Sequence, residues 1–352
     1  MSAAFHSLRV AAIDELTDDA VALTFEVPPA LADEFRFEHG QHLSIRGGDD
    51  VRRSYSICSP PSSGVLRIGV KRLPGGAFSE GVVSRLVVGD TLEVMTPAGR
   101  FTSAIDPTAR RTYVAVAAGS GITPVLSILA AILEGEPGSQ VLLVYANRTH
   151  RSVMFLDEVH DLKDRYPARF QVVHVLSRET QEVELLSGRL DGDRLSRILA
   201  ALMPADEVDQ FFLCGPQQMV VDLRATLAAL GVPSAHVHTE LFHADPVPRA
   251  PVEALDVPDG AAHVTIRLDG RSSELDLRPD ADPVLDAAMA VRSDLPFACK
   301  GGVCGTCRAR LVDGTVAMDA NYALEPEEIE RGYVLTCQAH PTSAKVVLDF
   351  DG

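Results

Sequence analysis

At 352 residues the chain is too long for one ordinary core and implies two or three domains, of which three is the working number. Its 46% hydrophobic and 23% charged content is that of a globular protein, and no segment approaches the ~20 consecutive apolar residues of a membrane span. The formal charge of −17 opposes binding to nucleic acid or to an anionic membrane, and the N-terminus lacks the basic stretch and long apolar core of a secretory signal, so a cytoplasmic location is expected.

The first hundred residues read as short alternating strands, VALTFEVP, HLSIRG, LRIGVKRL and DTLEVMTP, punctuated by Gly, Pro and Asp. An antiparallel barrel over 1–106 closes such a set. Within it, Arg53-Ser54-Tyr55-Ser56 closes a strand, and Gly75-Gly76-Ala77-Phe78-Ser79 precedes a short helix. An arginine can hold a pyrophosphate, glycines and a serine at a helix start can bind phosphate through backbone amides, and a tyrosine can stack on a flavin ring. Val70 and Lys71, at the end of the strand between these motifs, belong to the same candidate site. Arg53-Ser54-Tyr55-Ser56 alone fits an exposed arginine beside a packed tyrosine better than a binding site; the two motifs in order, in a barrel ahead of an α/β domain, reverse that balance and favour the flavin.

From Arg111 the texture changes to apolar runs alternating with helical stretches: TYVAVAA, ITPVLSILAAILE, VLLVYA, FLDEVHDLKDRY, FQVVHVLS, DRLSRILAALM, QFFLCG and MVVDLRATLAALG. That pattern predicts a doubly wound parallel α/β domain over 107–243. Gly119-Ser120-Gly121-Ile122-Thr123-Pro124 lies between a buried strand and a helix, where glycines let a dinucleotide pyrophosphate approach the helix start. Pro124 stands where the usual fingerprint has glycine, so a plain strand-to-helix turn remains an alternative. Cys214-Gly215-Pro216 follows QFFLC and puts a small thiol at the C-terminal edge of the sheet, where α/β proteins bind ligands; a buried inert cysteine is the alternative. Arg148 and Arg151 follow one strand, and Ser177-Arg178 follow the next. Guanidinium and hydroxyl groups there suit a 2′-phosphate, which favours NADPH over NADH.

A proline-rich stretch over 244–260 reads as a stiff linker. Beyond it, 261–352 holds two paired strands, a short helix and the loop FACKGGVCGTCRA. Cys299, Cys304 and Cys307, separated by four and two residues, with Cys337 thirty residues on, have the spacing of a plant-type [2Fe–2S] site. Four thiolates also suit structural zinc, but zinc ribbons pair two Cys-x-x-Cys knuckles, which this chain lacks. Lys300, Arg308 and Arg310 crowd the cysteines and predict a rim that is not simply acidic.

With these motifs in this order, the whole chain resembles a ferredoxin–NADP reductase module fused to a C-terminal plant-type ferredoxin, whose last domain is an α+β β-grasp. The resemblance assigns Arg53, Tyr55, Ser56, Gly76 and Ser79 to FAD, and Gly119, Gly121, Thr123, Pro124, Cys214 and Gly215 to the nicotinamide dinucleotide. It likens Ser177-Arg178-Glu179 to a 2′-phosphate segment. Many relatives end the reductase module on an aromatic residue stacked on the flavin; here Glu240-Leu241-Phe242 runs on, and Phe242 is the candidate. The stretch from Phe297 to Gln338 is similar to the reductase subunits of bacterial phenylacetyl-CoA epoxidases, which implies electron delivery from NADPH to a multicomponent di-iron oxygenase. Relatives with this domain order also serve Rieske-type and steroid oxygenases. Thr123 and Cys214 would orient the nicotinamide, and no general acid or base is assigned. A reading of another class is a non-catalytic redox-sensing or zinc-stabilised module.

Overall fold

The computed structural model describes residues 5–47, 52–76, 78–242 and 260–352. The chain divides into two compact units, one spanning His6–Phe242 and the other made chiefly of His243–Gly352. Of the linker expected over 244–260, only Gly260 lies among the described residues.

The first unit begins with six antiparallel strands: β1 (Phe5–Thr17), β2 (Ala20–Glu26), β3 (His42–Arg46), β4 (Arg52–Ser56), β5 (Leu66–Lys71) and β6 (Thr91–Met95). They hydrogen-bond in the order β4-β3-β6-β1-β2-β5. An antiparallel bridge between Ile57 and Ile68 joins the two edges and closes the barrel, so neither is left as an unpaired template. Its interior is filled by Leu8, Val10, Leu23, Leu43, Ile45 and Ile68, all fully buried.

A five-stranded parallel sheet follows, made of β7 (Thr112–Ala118), β8 (Gln140–Asn147), β9 (Phe170–Leu176), β10 (Gln210–Cys214) and β11 (Val237–Glu240). Helices α1 (Ile122–Gly135), α2 (Leu156–Arg165), α3 (Gly192–Leu202) and α4 (Gln217–Ala229) make the crossovers. The strand order β11-β10-β7-β8-β9 reverses direction between β7 and β10. At such a switch point the two crossovers leave on opposite faces and open a crevice at the strand C-termini.

The barrel and this sheet form a single compact unit because α1 is apolar nearly all round and packs on both. The Ser127 hydroxyl, fully buried in α1, donates to Ser59 O of the barrel at 2.7 Å. Gly69 of β5 makes a second close approach. A Cβ there would sit 2.6 Å from the Thr123 methyl and 2.9 Å from the Phe155 ring. Phe155 itself caps α2 with φ +57, a left-handed conformation that costs a phenylalanine about 1–2 kcal/mol. Burial of its ring to 1% exposure, with the Arg67 guanidinium 5.5 Å from the centroid, offsets that strain.

The second unit pairs β12 (Ala262–Leu268), β13 (Arg271–Leu277), β14 (Arg308–Asp313), β16 (Tyr333–Leu335) and β18 (Lys345–Asp349) in the order β13-β12-β18-β14-β16. A small ladder joins β15 (Val316–Met318) to β17 (Ala339–Pro341). Helix α5 (Val284–Met289) lays Val284, Leu285 and Ala288 into the core with Val264, Ile266 and Leu348, while α6 (Pro326–Glu330) is a single capped turn. The mixed sheet, with β12 and β18 parallel at its centre and a helix across it, is the expected α+β architecture.

Candidate electron-transfer site

At the crevice of the parallel sheet, β7 ends in Gly119-Ser120-Gly121 and α1 begins. Gly119 takes φ +54 with open space where a Cβ would lie, and its carbonyl accepts from the Tyr145 hydroxyl at 3.1 Å. Gly121 is pressed against the neighbouring strand: a Cβ there would overlap the Cys214 carbonyl. Thr123, 1% exposed, turns its hydroxyl back to Ser120 O at 3.0 Å and its methyl onto Gly69. Glycine is therefore needed at 121 to let α1 start beside β10, and that contact fixes Thr123 against the barrel.

Three side chains from distant parts of the sequence meet at this junction. Cys214 ends β10 fully buried and pairs in register with Glu240 of β11. Ser56, the last residue of β4, donates its hydroxyl to Glu240 Oε2 at 3.0 Å. Glu240 as a residue is half-buried, and its carboxyl is the enclosed end. Burial pushes that carboxyl up to about 8, with the Ser56 hydrogen bond opposing the shift. Burial also raises the Cys214 thiol well above its ordinary range, and Glu240 adds to the rise, so the thiol stays neutral. Glu240 is the residue of this junction to which sequence reading gave no role.

The proposed flavin residues lie on β4, on β5 and in the turns that follow β5. Tyr55, opposite Leu43 in the β3–β4 ladder, packs on Phe78 with centroids 5.3 Å apart at 38°; Phe78 is 1% exposed. Arg53 is exposed and donates to the Arg52 carbonyl at 2.7 Å, and Ser54 faces Ser44. Val70 is fully buried, whereas Lys71 pairs with Asp19 at 3.4 Å.

The short helix expected after Ser79 is instead a series of turns ending in one 3-10 turn, Val83–Arg85. Gly81 followed by Val82 and Val83 gives poor helix propensity there, so the phosphate-binding role has no helix start behind it. What the loop offers is geometry at Gly75 and Gly76. Gly75 has φ +73, its N–H donates to Glu80 Oε2 at 2.6 Å, and the Ser79 hydroxyl accepts from the Leu73 N–H at 3.2 Å. Ala77 lies outside the described residues.

At the far side of the crevice, the N–H of Arg178 donates to the Arg148 carbonyl at 2.8 Å, bringing the ends of β8 and β9 together with both arginine side chains exposed. The Ser177 N–H donates to Asn147 O at 2.9 Å, and Glu179 accepts from the His150 N–H at 3.1 Å. Phe242 is 41% exposed, two residues beyond Glu240. Cys58, the other cysteine outside the cluster loop, is buried at 2% with its thiol on Arg67 O at 3.3 Å and is pushed by burial to about 12. It is a core residue.

In the second unit, Lys300, Gly302 and Gly305 take φ +52, +74 and +68, which wraps the loop tightly around its own cysteines. The thiols couple electrostatically in two pairs, Cys299 with Cys304 and Cys307 with Cys337. Among the described residues no set of three or more His, Cys, Asp or Glu closes on a single metal ion. Backbone N–H groups of Gly301, Val303 and Cys304 point at Cys299, with Gly301 at 3.3 Å, while Gly302 and Gln338 donate toward Cys337 and Thr306 toward Cys304. Two thiol pairs ringed by donors fit a group with two metal centres and anionic sulfurs. The rim carries both signs of charge. Lys300 pairs with Asp286 and lies over Phe297, and Arg308 pairs with Glu328 over Tyr333, which leaves Arg310 exposed.

Sequence comparison assigns the same three parts. Residues 7–103 match the oxidoreductase FAD-binding domain, 115–225 the oxidoreductase NAD-binding domain and 266–342 the 2Fe-2S iron-sulfur cluster binding domain. The chain is therefore an oxidoreductase of the class that joins nicotinamide, flavin and [2Fe–2S] sites in one polypeptide. It is 45% identical to a subunit of the 1,2-phenylacetyl-CoA epoxidase of Escherichia coli (strain K12), over 99% of this chain and 98% of that one. It is 37% identical to the ferredoxin reductase component of 3-ketosteroid-9-alpha-monooxygenase from Rhodococcus rhodochrous, over 97% and 96%. Phthalate dioxygenase reductase shares the fold, with a TM-score of 0.60 at 24% identity and 98% of each chain covered. The chain belongs to this family of oxygenase reductase components, with the phenylacetyl-CoA epoxidase subunit among its similar members. Among the described residues no helix is long and apolar enough to cross a membrane.

Proposed function

We propose that the chain carries electrons from NADPH, by way of FAD and [2Fe–2S], to the separate di-iron oxygenase of phenylacetyl-CoA 1,2-epoxidation, from domains at 1–106, 107–243 and 261–352. The 45% identity to the Escherichia coli epoxidase subunit over nearly the whole length supports the choice of acceptor. The observation that carries the redox reading is the meeting of Ser56, Cys214 and Glu240 where the barrel joins the switch point of the parallel sheet.

When bound, the flavin and the cluster supply the conversion of a two-electron hydride into single electrons, which a nicotinamide cannot perform alone. The chain's own residues position and insulate. Arg53, Tyr55, Ser56, Gly76 and Ser79 would hold the flavin. Gly119 and Gly121 allow close approach of the dinucleotide at the head of α1, where Thr123 and Cys214 present a methyl-backed hydroxyl and a neutral thiol to the nicotinamide ring. Neutrality matters, because a thiolate beside the ring would favour the oxidised, positively charged nicotinamide. Glu240 holds a proton on its carboxyl near neutral pH, and the Ser56 hydroxyl, donating to its Oε2, fixes the carboxyl against the end of the barrel strand. Cys299, Cys304, Cys307 and Cys337 would ligate the cluster, with loop amides screening its negative charge.

The preference for NADPH rests on the exposed Arg148 and Arg178, which the Arg178 N–H···Arg148 O bond brings together at the sheet edge, in a chain of net charge −17. Two guanidinium groups in such an acidic surface suit a 2′-phosphate. Reconstitution tests the acceptor. Mixed with the purified catalytic subunits of a phenylacetyl-CoA epoxidase, phenylacetyl-CoA and NADPH, the chain is expected to support epoxide formation. Failure there, together with support of a Rieske-type ring-hydroxylating or steroid oxygenase, would move the assignment to the latter.

A further inference from the structure

Gln338 follows the last of the four cysteines, and its side-chain amide touches both halves of the thiol site. Nε2 lies 3.0 Å from Lys300 O, 2.9 Å from Cys337 O and 3.6 Å from Cys337 Sγ. The root of the side chain is fixed, since its backbone N–H donates to Leu335 O and its carbonyl accepts from the Asp319 N–H, both at 2.9 Å. Its Cγ packs over Gly302, where an added Cβ would lie 3.3 Å away, and Gly302 in turn aims its N–H at the Cys337 sulfur. One side chain therefore staples the loop between Cys299 and Gly301 to the turn between β16 and β17 that carries Cys337, and keeps a second donor on the same sulfur.

We propose that Gln338 is a positioning residue that raises the reduction potential of the cluster by holding N–H donors on Cys337. The inference rests on the reading of the four cysteines as cluster ligands. Reduction adds negative charge that is shared with the sulfurs, and a donor aimed at a sulfur stabilises the reduced form more than the oxidised one. Loss of the amide removes one such donor directly and loosens a second, that of Gly302.

The test is a potentiometric titration of the full-length holoprotein, followed by electron paramagnetic resonance and visible circular dichroism of the cluster. Gln338→Leu keeps the bulk and removes the donors; it is expected to shift the reduced-to-oxidised ratio at a fixed potential about tenfold toward oxidised, ~59 mV for a one-electron couple. Gln338→Glu, which can accept but not donate when ionised, is expected to shift it further. Gln338→Arg, which restores donors, is expected to return the ratio to the wild-type value or beyond it. Flavin reduction by NADPH stays unchanged in all three. Wild-type potentials in the Leu and Glu variants at full iron and sulfide content would overturn the proposal, as would an upward shift in both. If the Leu variant loses its cluster, the opposed directions of Glu and Arg still decide. Iron and sulfide content of the wild-type chain tests the underlying cluster reading separately.

Discussion

The Ser56 hydroxyl donates to Glu240 Oε2 at 3.0 Å, joining the end of a barrel strand to the end of the last strand of the parallel sheet across 184 residues of sequence. Glu240 is also the register partner of Cys214, so the residue that bonds to the end of the barrel strand stands beside the end of β10. With that carboxyl pushed up to about 8 by burial, flavin reduction should carry an alkaline inflection near pH 8 in the wild type. Glu240→Gln keeps the shape and should flatten that limb in a stopped-flow pH series. An unchanged inflection would assign it to another group. The linkage has a definite sign. The folded pKa is raised above the ordinary carboxyl value, so the stability contributed by the neutral form is fully present at acid pH and is lost as pH rises through about 8. The melting temperature of the wild type relative to Glu240→Gln should fall over that window.

Cys214 is fully buried, its backbone carbonyl lies against Gly121 and its register partner is Glu240. If Cys214 orients the nicotinamide ring as proposed, Cys214→Ala should retain both chromophores and slow hydride transfer from NADPH about tenfold or more. Single-turnover stopped-flow at the flavin band measures this. An unchanged rate would reduce Cys214 to packing.

Gly121→Ala places a methyl on the Cys214 carbonyl, which is backbone and cannot swing away. The variant should lose about 1–3 kcal/mol of stability by denaturant unfolding and bind the dinucleotide more weakly. Wild-type stability would mean that α1 starts farther from β10 than it does here.

Arg178→Ala and Arg148→Ala should each raise KM for NADPH about tenfold, ~1.4 kcal/mol, while leaving KM for NADH nearly unchanged. Equal losses with both donors would place these arginines away from the 2′-phosphate.

Much of this was legible in the chain. The cysteines proposed as cluster ligands include three at fixed short spacings, so Cys299, Cys304 and Cys307 announce themselves, and the alternating and continuous apolar runs separate barrel strands from parallel ones. Gly119-Ser120-Gly121 could be placed between strand and helix from periodicity alone. What sequence could not reach are relations set by tertiary register. Nothing local marks Glu240 as the partner of Ser56, because the contact depends on β11 pairing with β10 and on α1 packing against the barrel. The pairing of the rim charges was hidden for a related reason: Asp286 and Glu328, remote in sequence from the lysine and arginine they neutralise, arrive from α5 and α6. The helix expected after Ser79 failed locally, since Gly81 and two valines do not sustain one.

At the centre of all these relations, a single chain accepts electrons from a nicotinamide and delivers them to its own cluster. The most direct measurement is the visible spectrum of the purified protein before and after anaerobic addition of NADPH, compared with NADH. Oxidised flavin and iron–sulfur bands are expected to bleach together, faster with NADPH. Bands that persist unchanged with both donors would contradict that electron path.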